Sequence, residues 1–169
     1  MICATEVAPT GWEGAMSYAQ LRRGRVSEAS RAYLVTAVTA GRVPRFESLL
    51  AARAVVRVMR GLHDEGWVES RAWVVMPDHL HWLFVLGEEA SLAGVMQRLK
   101  GSSARAVNLL EGRTGALWQS AYHDHAVRAE EDLRAIARYV VANPLRAGLV
   151  TDIGLYPHWD AVWLDPLVG

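Results

Sequence analysis

The chain has 169 residues, of which 51% are hydrophobic and 21% are charged, and its formal net charge is zero. Its length and composition are those of one globular domain, and the zero net charge argues against a protein that coats duplex DNA through charge alone. Cys3 is the only cysteine, which excludes an internal disulfide or a cysteine-based zinc site within one chain. No apolar run approaches the roughly 18 residues of a membrane helix, and the N-terminus lacks a secretion pattern, so we expect a cytoplasmic protein.

The first thirty residues contain scattered prolines and glycines, which predicts a poorly ordered or accessory arm over 1–30 and a single domain over 31–169. A β-branched, largely apolar run then predicts a strand over 32–39. After a loop, apolar residues recur at helical spacing over 46–62, where we expect a helix.

Two more strands are expected over 67–76 and 79–86, and the short Pro77-Asp78 break between them predicts a hairpin. The second of these strands is apolar on both faces apart from His79 and His81. The strand is otherwise predicted to be buried on both faces, so this pair of polar side chains is the exception.

The rest of the chain predicts a helix, a strand and a helix. The first helix begins after Ser91 and runs to about residue 110, and 121–128 is a short strand. The second helix is expected over 130–141 and to end at Pro144. The tail after Gly148 is rich in Trp and Pro, and we expect it to be irregular and to pack over the core.

This order of elements predicts an α/β protein of the α+β kind. The first six elements match the βαββαβ arrangement of a ferredoxin-like sandwich. We expect an antiparallel sheet with two helices on one face and an additional C-terminal helix, which carries Tyr139, closing over the other.

His79 and His81 are two apart on a predicted strand, so both side chains project from the same face. Two neighbouring imidazoles can share a metal ion. For a bare His-x-His, the alternative that the pair is incidental is the more common outcome, because two ligands do not make a site. Here the pair opens a very apolar strand directly after a turn, where polar side chains have little packing value.

Tyr139 and Asn143 are four apart, so they lie on one face of the last helix. An Asn oxygen with two imidazoles suits Mg²⁺ or Mn²⁺ and leaves positions open for substrate. A phenol needs a nearby cation or base to attack at neutral pH, so Tyr139 is a candidate nucleophile. Two simpler alternatives stay open: Asn143 ends a helix before a proline, and Tyr139 packs its ring.

Three segments together resemble the IS200-like single-tyrosine transposases, and more closely their branch of REP-associated tyrosine transposases. They are Trp73-Val-Val-Met-Pro-Asp-His-Leu-His-Trp-Leu, Leu117-Trp-Gln-Ser-Ala-Tyr-His-Asp-His-Ala-Val-Arg and Tyr139-Val-Val-Ala-Asn-Pro-Leu-Arg-Ala-Gly-Leu-Val. The resemblance covers roughly residues 33 to 163. The tail departs from it, since Tyr156-Pro-His-Trp-Asp only loosely follows the usual Tyr-Pro-Trp-Ser-Ser stretch.

The resemblance implies roles for particular residues. His79 and His81 match the histidine-hydrophobe-histidine metal motif, and Asn143 falls where relatives place a third ligand. Tyr139 matches the nucleophile, which forms a 5′-phosphotyrosine and releases a 3′-OH. Arg128 and His125 are candidates for a phosphate contact and a cleft position, although both are equally explained as surface groups.

The resemblance also implies a partner, namely single-stranded DNA with a hairpin from palindromic repeats. Lys100, Arg105 and Arg98 are candidates for contacts with its backbone. Arginine accounts for nearly all the positive charge, but the base composition of a genome explains that equally well. We therefore expect single-strand DNA cleavage and strand transfer by metal-assisted transesterification, in a monomer or homodimer. The alternatives are a domesticated hairpin-binding protein without cleavage and a metal-dependent hydrolase of a small phosphoester.

Overall fold

The computed structural model describes residues 27–128 and 132–162. Five strands form one antiparallel sheet in the order β4-β1-β3-β2-β5. Their bounds are β1 Ala32–Val38, β2 Val68–Met76, β3 His79–Leu86, β4 His123–Ala126 and β5 Trp159–Ala161. The first four strands and the two helices between them follow the βαββαβ order with β3 between β1 and β2, which confirms the predicted ferredoxin-like fold.

Helices α1 (Leu49–Asp64) and α2 (Leu92–Glu111) cover one face of the sheet. The hydroxyls of Ser48 and Ser91 cap them by accepting from the backbone N–H groups of the first turn. The predicted helix over 46–62 therefore begins later than expected. Its first residues form a separate 3₁₀ turn that buries Phe46, and Ser48 then starts α1.

Helix α3 (Leu133–Val141) packs on the opposite face of the sheet. A second core joins its apolar stripe to alternate residues of the strands, among them Leu34, Val74 and Leu83. The predicted closure of the last helix over this face is thus confirmed. Its expected start at residue 130 falls among residues 129–131, which are outside the described residues, and Asp132 is its N-cap.

Helix α3 ends at Val141, as predicted, and Ala142 is its C-cap. A short helix α4 (Asn143–Arg146) follows directly, and Pro144 is its second residue. The first turn of a helix has no partner for the N–H that proline lacks, so proline is tolerated there.

The tail packs against the core as expected but is not wholly irregular, because β5 adds a fifth strand to the edge of β2. The Tyr156 hydroxyl secures this segment by donating to the Val75 carbonyl at 2.7 Å. Most of the predicted arm over 1–30 lies outside the described residues, as do residues 163–169. Among the helices that are described, not one has the length and apolarity to span a membrane.

Candidate active site

The two histidines of β3 lie on the face of the sheet that α3 covers. Leu80, Trp82 and Phe84 point into the core beneath α1 and α2, so the residues that alternate with them face the other way. The rings of His79 and His81 have centroids 4.8 Å apart and meet edge to face. The structure therefore brings the two imidazoles together.

Each imidazole is oriented by a hydrogen bond at its Nδ1 atom. His79 Nδ1 bonds to the Asp78 carboxylate at 2.5 Å, and His81 Nδ1 bonds to the Thr36 hydroxyl at 2.8 Å. Both rings are thus fixed through the same nitrogen, which leaves Nε2 as the atom that could bind a cation. Metal-binding histidines commonly have such a partner at the nitrogen that is not the ligand.

The turn that carries Asp78 is tied to the end of β1. The Thr39 hydroxyl and N–H both donate to the Asp78 carbonyl, at 3.0 and 2.9 Å. Arg42 pairs with the Asp78 carboxylate at 3.1 Å and has a left-handed backbone, with φ of 54°. Burial raises the pKa of Asp78, but its interactions with His79 and then Arg42 outweigh that effect and leave the pKa below its ordinary value. The carboxylate is therefore charged when it orients His79 at neutral pH.

His81 is neutral over the physiological range. Burial, followed by the electrostatic effects of His79 and Arg146, lowers the pKa of His81 to about 3, against an opposing effect of Asp78. The neutral imidazole is the form that binds a metal, because a proton and a metal compete for the same nitrogen.

Tyr139 lies half-buried near the end of α3, and Asn143 begins α4. The Asn143 amide nitrogen donates to the carbonyls of Tyr139 and Val140, both at 3.0 Å. This is the helix-ending role that the Asn-Pro pair suggests, and it leaves the amide oxygen as the atom that could serve a cation. One side chain can therefore fill both roles.

Arg146 is a residue of this region that the sequence analysis missed. Its guanidinium carbon lies 4.4 Å from the centroid of the Tyr139 ring, and its charge also acts on His81. It thus links the tyrosine to the histidine pair. Its spacing of seven residues from Tyr139 is a helical spacing and could have identified it, had a helix been expected to continue past Pro144.

His125 lies on β4, which is an edge strand of the sheet, and Arg128 lies just beyond the end of β4. His125 is opposite Leu34 in register, and His123, which the sequence analysis did not single out, is opposite Thr36. Side chains directly opposite in an antiparallel sheet share a face, so both histidines are on the face of His81. Strand β1 separates them from β3, a gap of roughly 10 Å between strands two apart. Arg128 follows two residues after β4, and both His125 and Arg128 have interaction partners.

The basic residues of α2 are on the face opposite the histidine pair. The Lys100 ammonium donates to the carbonyls of Gln119, Ser120 and Ala121 at 2.9, 3.3 and 2.7 Å, and burial lowers its pKa to about 8. In the structure, Lys100 therefore stabilises the segment before β4 through these hydrogen bonds. Its expected contact with DNA stays a prediction.

The two arginines of α2 have different surroundings. Arg98 pairs with Glu65 at 2.9 Å and lies over the Trp67 ring at 4.1 Å. Arg105 is exposed and bonds within its own helix. Neither is brought to the histidine pair, and their contacts with DNA also stay predictions.

No cluster of three or more His, Cys, Asp or Glu side chains suited to a metal occurs in 27–128 and 132–162. The imidazole pair would therefore need oxygen ligands of another kind, from the Asn143 amide or from a substrate. An imidazole pair completed by oxygen ligands can hold a divalent cation with positions left open for substrate.

Comparison with known proteins identifies the family. The family described as "Transposase IS200 like" matches residues 29–143, which is more than half of the chain. The chain belongs to the IS200-like transposase family. The resemblance noted in the sequence is thereby confirmed.

The chain's relatives include a member of the REP-associated branch. A REP-associated tyrosine transposase of Escherichia coli K12 is 29% identical over 90 residues, covering 53% of this chain and 52% of the relative. The chain therefore matches about half the length of that relative.

Two solved structures have a similar fold. A REP-associated tyrosine transposase bound to a REP hairpin superimposes with a TM-score of 0.63 at 21% identity, over 80% of this chain and 79% of that one. A putative transposase from Deinococcus radiodurans R1 has a TM-score of 0.51 at 22% identity, over 73% and 97%. At these identities the superpositions support the shared fold.

Proposed function

We propose that this protein cleaves single-stranded DNA beside a hairpin and rejoins the ends, with Tyr139 as nucleophile and a divalent cation on His79 and His81. The observation that carries the proposal is the paired anchoring of the two imidazoles. Both are fixed at Nδ1 and lie on the sheet face that α3 and α4 cover. Metal-binding histidines commonly have such a partner at the ring nitrogen that is not the ligand.

The residues present fit a hard divalent cation. Two imidazole nitrogens and the Asn143 oxygen would bind Mg²⁺ or Mn²⁺, and such an ion would supply charge neutralisation at a phosphate. His81 is already neutral, so it has no proton to displace at physiological pH.

In the proposed reaction, the phenolic oxygen of Tyr139 forms a bond to phosphorus while the bond from phosphorus to the 3′ oxygen breaks. The phenol loses its proton and the 3′ oxygen gains one, so the products are a 5′-phosphotyrosine and a 3′-OH. Reversal of the same step with another 3′-OH joins strands. Orientation and charge stabilisation supply the catalysis, as in other phosphoryl transfers.

The positions of the two described depressions favour a macromolecular substrate over a small molecule. Two depressions of the described residues lie away from the histidine pair, one at the end of α2 and one between α1, β2 and β5. Neither is lined by the histidine pair or by Tyr139. This observation disfavours the small-phosphoester hydrolase, which needs an enclosing pocket. The hairpin substrate itself is proposed from the relatives named above.

The test is a cleavage assay on single-stranded hairpin oligonucleotides from the repeats that flank the gene. Wild type and Tyr139→Phe are compared on a denaturing gel, with Mg²⁺ or Mn²⁺ and with EDTA. We expect a metal-dependent covalent protein–DNA adduct in the wild type and none in Tyr139→Phe. Hairpin binding without an adduct under any metal would instead support the domesticated binding protein.

A further inference from the structure

Arg146 places a positive charge beside the Tyr139 ring and near His81. Its guanidinium carbon is 4.4 Å from the centre of the Tyr139 ring. The same group lies close enough to His81 to act on it electrostatically. A phosphate attacked by the phenolic oxygen would therefore be within reach of the guanidinium.

Arg146 is also available for such a contact. Several other described arginines pair with carboxylates, for example Arg42 with Asp78 and Arg138 with Asp132. Arg146 is exposed, and no carboxylate of residues 27–128 or 132–162 pairs with it. An arginine that rests one face on an aromatic ring keeps the N–H donors at its edge for phosphate oxygens.

The backbone fixes where Arg146 stands. Its N–H donates to the Ala142 carbonyl at 3.0 Å, and the buried Pro144 secures the same turn. Ala142 keeps a right-handed helical conformation between α3 and α4, so the helical path runs on from Tyr139 to Arg146. The arginine is thus positioned on the same rigid segment as the tyrosine.

We propose that Arg146 is a further catalytic residue, whose guanidinium donates to the non-bridging oxygens of the phosphate that Tyr139 attacks. This inference rests on the proposed function. Negative charge on those oxygens grows as the tyrosine–phosphorus bond forms and the bond to the 3′ oxygen breaks. A fixed cation stabilises that charge most in the transition state. The proton balance of the reaction is unchanged, because the guanidinium stays protonated throughout.

The test compares Arg146→Met with Arg138→Met in single-turnover adduct formation on the flanking-repeat hairpin oligonucleotides with Mn²⁺. Methionine keeps an apolar stem against the tyrosine ring but removes the charge. Arg138 is an exposed arginine of α3, eight residues before Arg146, and serves as the matched control. We expect Arg146→Met to lower the rate of adduct formation about 10²- to 10³-fold, with little change in hairpin affinity or thermal midpoint. Arg138→Met should behave as wild type.

A second measurement separates catalysis from support of the ring. Added guanidinium ion should restore part of the rate in Arg146→Ala, and Arg146→Lys should retain more activity than Arg146→Met. An Arg146→Met rate equal to that of Arg138→Met would overturn the proposal, as would a lowered thermal midpoint in Arg146→Ala with no rescue. A wild type that forms no adduct would refute the proposed function itself, and this inference with it.

Discussion

Thr36 and Asp78 each orient one imidazole of the proposed cation site through a hydrogen bond to Nδ1. In Thr36→Val the side chain keeps its shape but loses the hydroxyl that bonds His81 Nδ1. We expect Mn²⁺ affinity to fall about 10- to 100-fold, because the ring loses its fixed orientation. Calorimetric titration with Mn²⁺ measures this, and Thr36→Ser, which keeps the hydroxyl, is the control. Equal affinities in the two variants would show that Thr36 does not tune the site.

The sequence identified some of these residues and could not identify others. Strict alternation along an apolar strand was enough to place His79 and His81 on one face. Their partners depend on register, since Thr36 meets His81 only because β1 and β3 pair as they do. Arg146 was not predicted as a site residue because proline usually ends a helix. Here Pro144 lies in the first turn of α4, where the N–H that proline lacks would have no partner.

Among the elements, α2 is tied to the segment that precedes β4 by a buried polar contact. The Ser103 hydroxyl donates to the Leu99 carbonyl at 2.6 Å and accepts from the Trp118 indole at 2.9 Å. Ser103→Ala should lower the free energy of unfolding by about 1–3 kcal/mol, because the buried indole N–H is left without a partner. Ser102→Ala, one residue away and less buried, should change it little. Urea unfolding checks this, and equal losses would contradict the assignment.

The strand β5 brings a buried histidine to the edge of β2, and this gives the fold a pH dependence. Burial, and then the charge of Arg53 on α1, lowers the pKa of His158 below its ordinary value of 6.5. The unfolded chain therefore takes up a proton that the folded chain resists. The corresponding stability is fully present above pH 6.5 and is lost as the pH falls towards the folded pKa.

We accordingly expect the free energy of unfolding to fall less steeply below pH 6 in His158→Asn than in wild type. The difference in slope should be at most about 1.4 kcal/mol per pH unit. Urea titrations in EDTA at a series of pH values between 7.5 and 5 measure it. Since both proteins retain His81, parallel slopes would exclude a role for His158.

The predicted elements agree with the structure where periodicity is strong and differ where local chemistry decides. Ser91 correctly marked the start of α2, whereas Ser48 was overlooked as the cap that delays α1 past Phe46. The strand β5 has three residues, too few for alternation to be read, and its pairing with β2 is a long-range contact.

In the molecule as a whole, helices cover both faces of the sheet, and the two faces differ in the residues they carry. The face beneath α1 and α2 holds the larger core, and cations of α2 such as Lys100 and Arg98 are engaged in tying loops to it. The other face carries the histidine pair, with α3 and α4 over it. The order βαββαβ was sufficient to predict this arrangement, because it leaves one face of the sheet for the last helix.

If the proposed function is correct, Tyr139 becomes covalently attached to DNA when a divalent cation is present. The most direct measurement is mass spectrometry of the protease-digested product formed with a hairpin oligonucleotide and Mn²⁺. We expect a nucleotide-bearing peptide whose modified residue is Tyr139, absent with EDTA. Cleaved DNA with an adduct on another residue, or cleavage with no adduct at all, would contradict it.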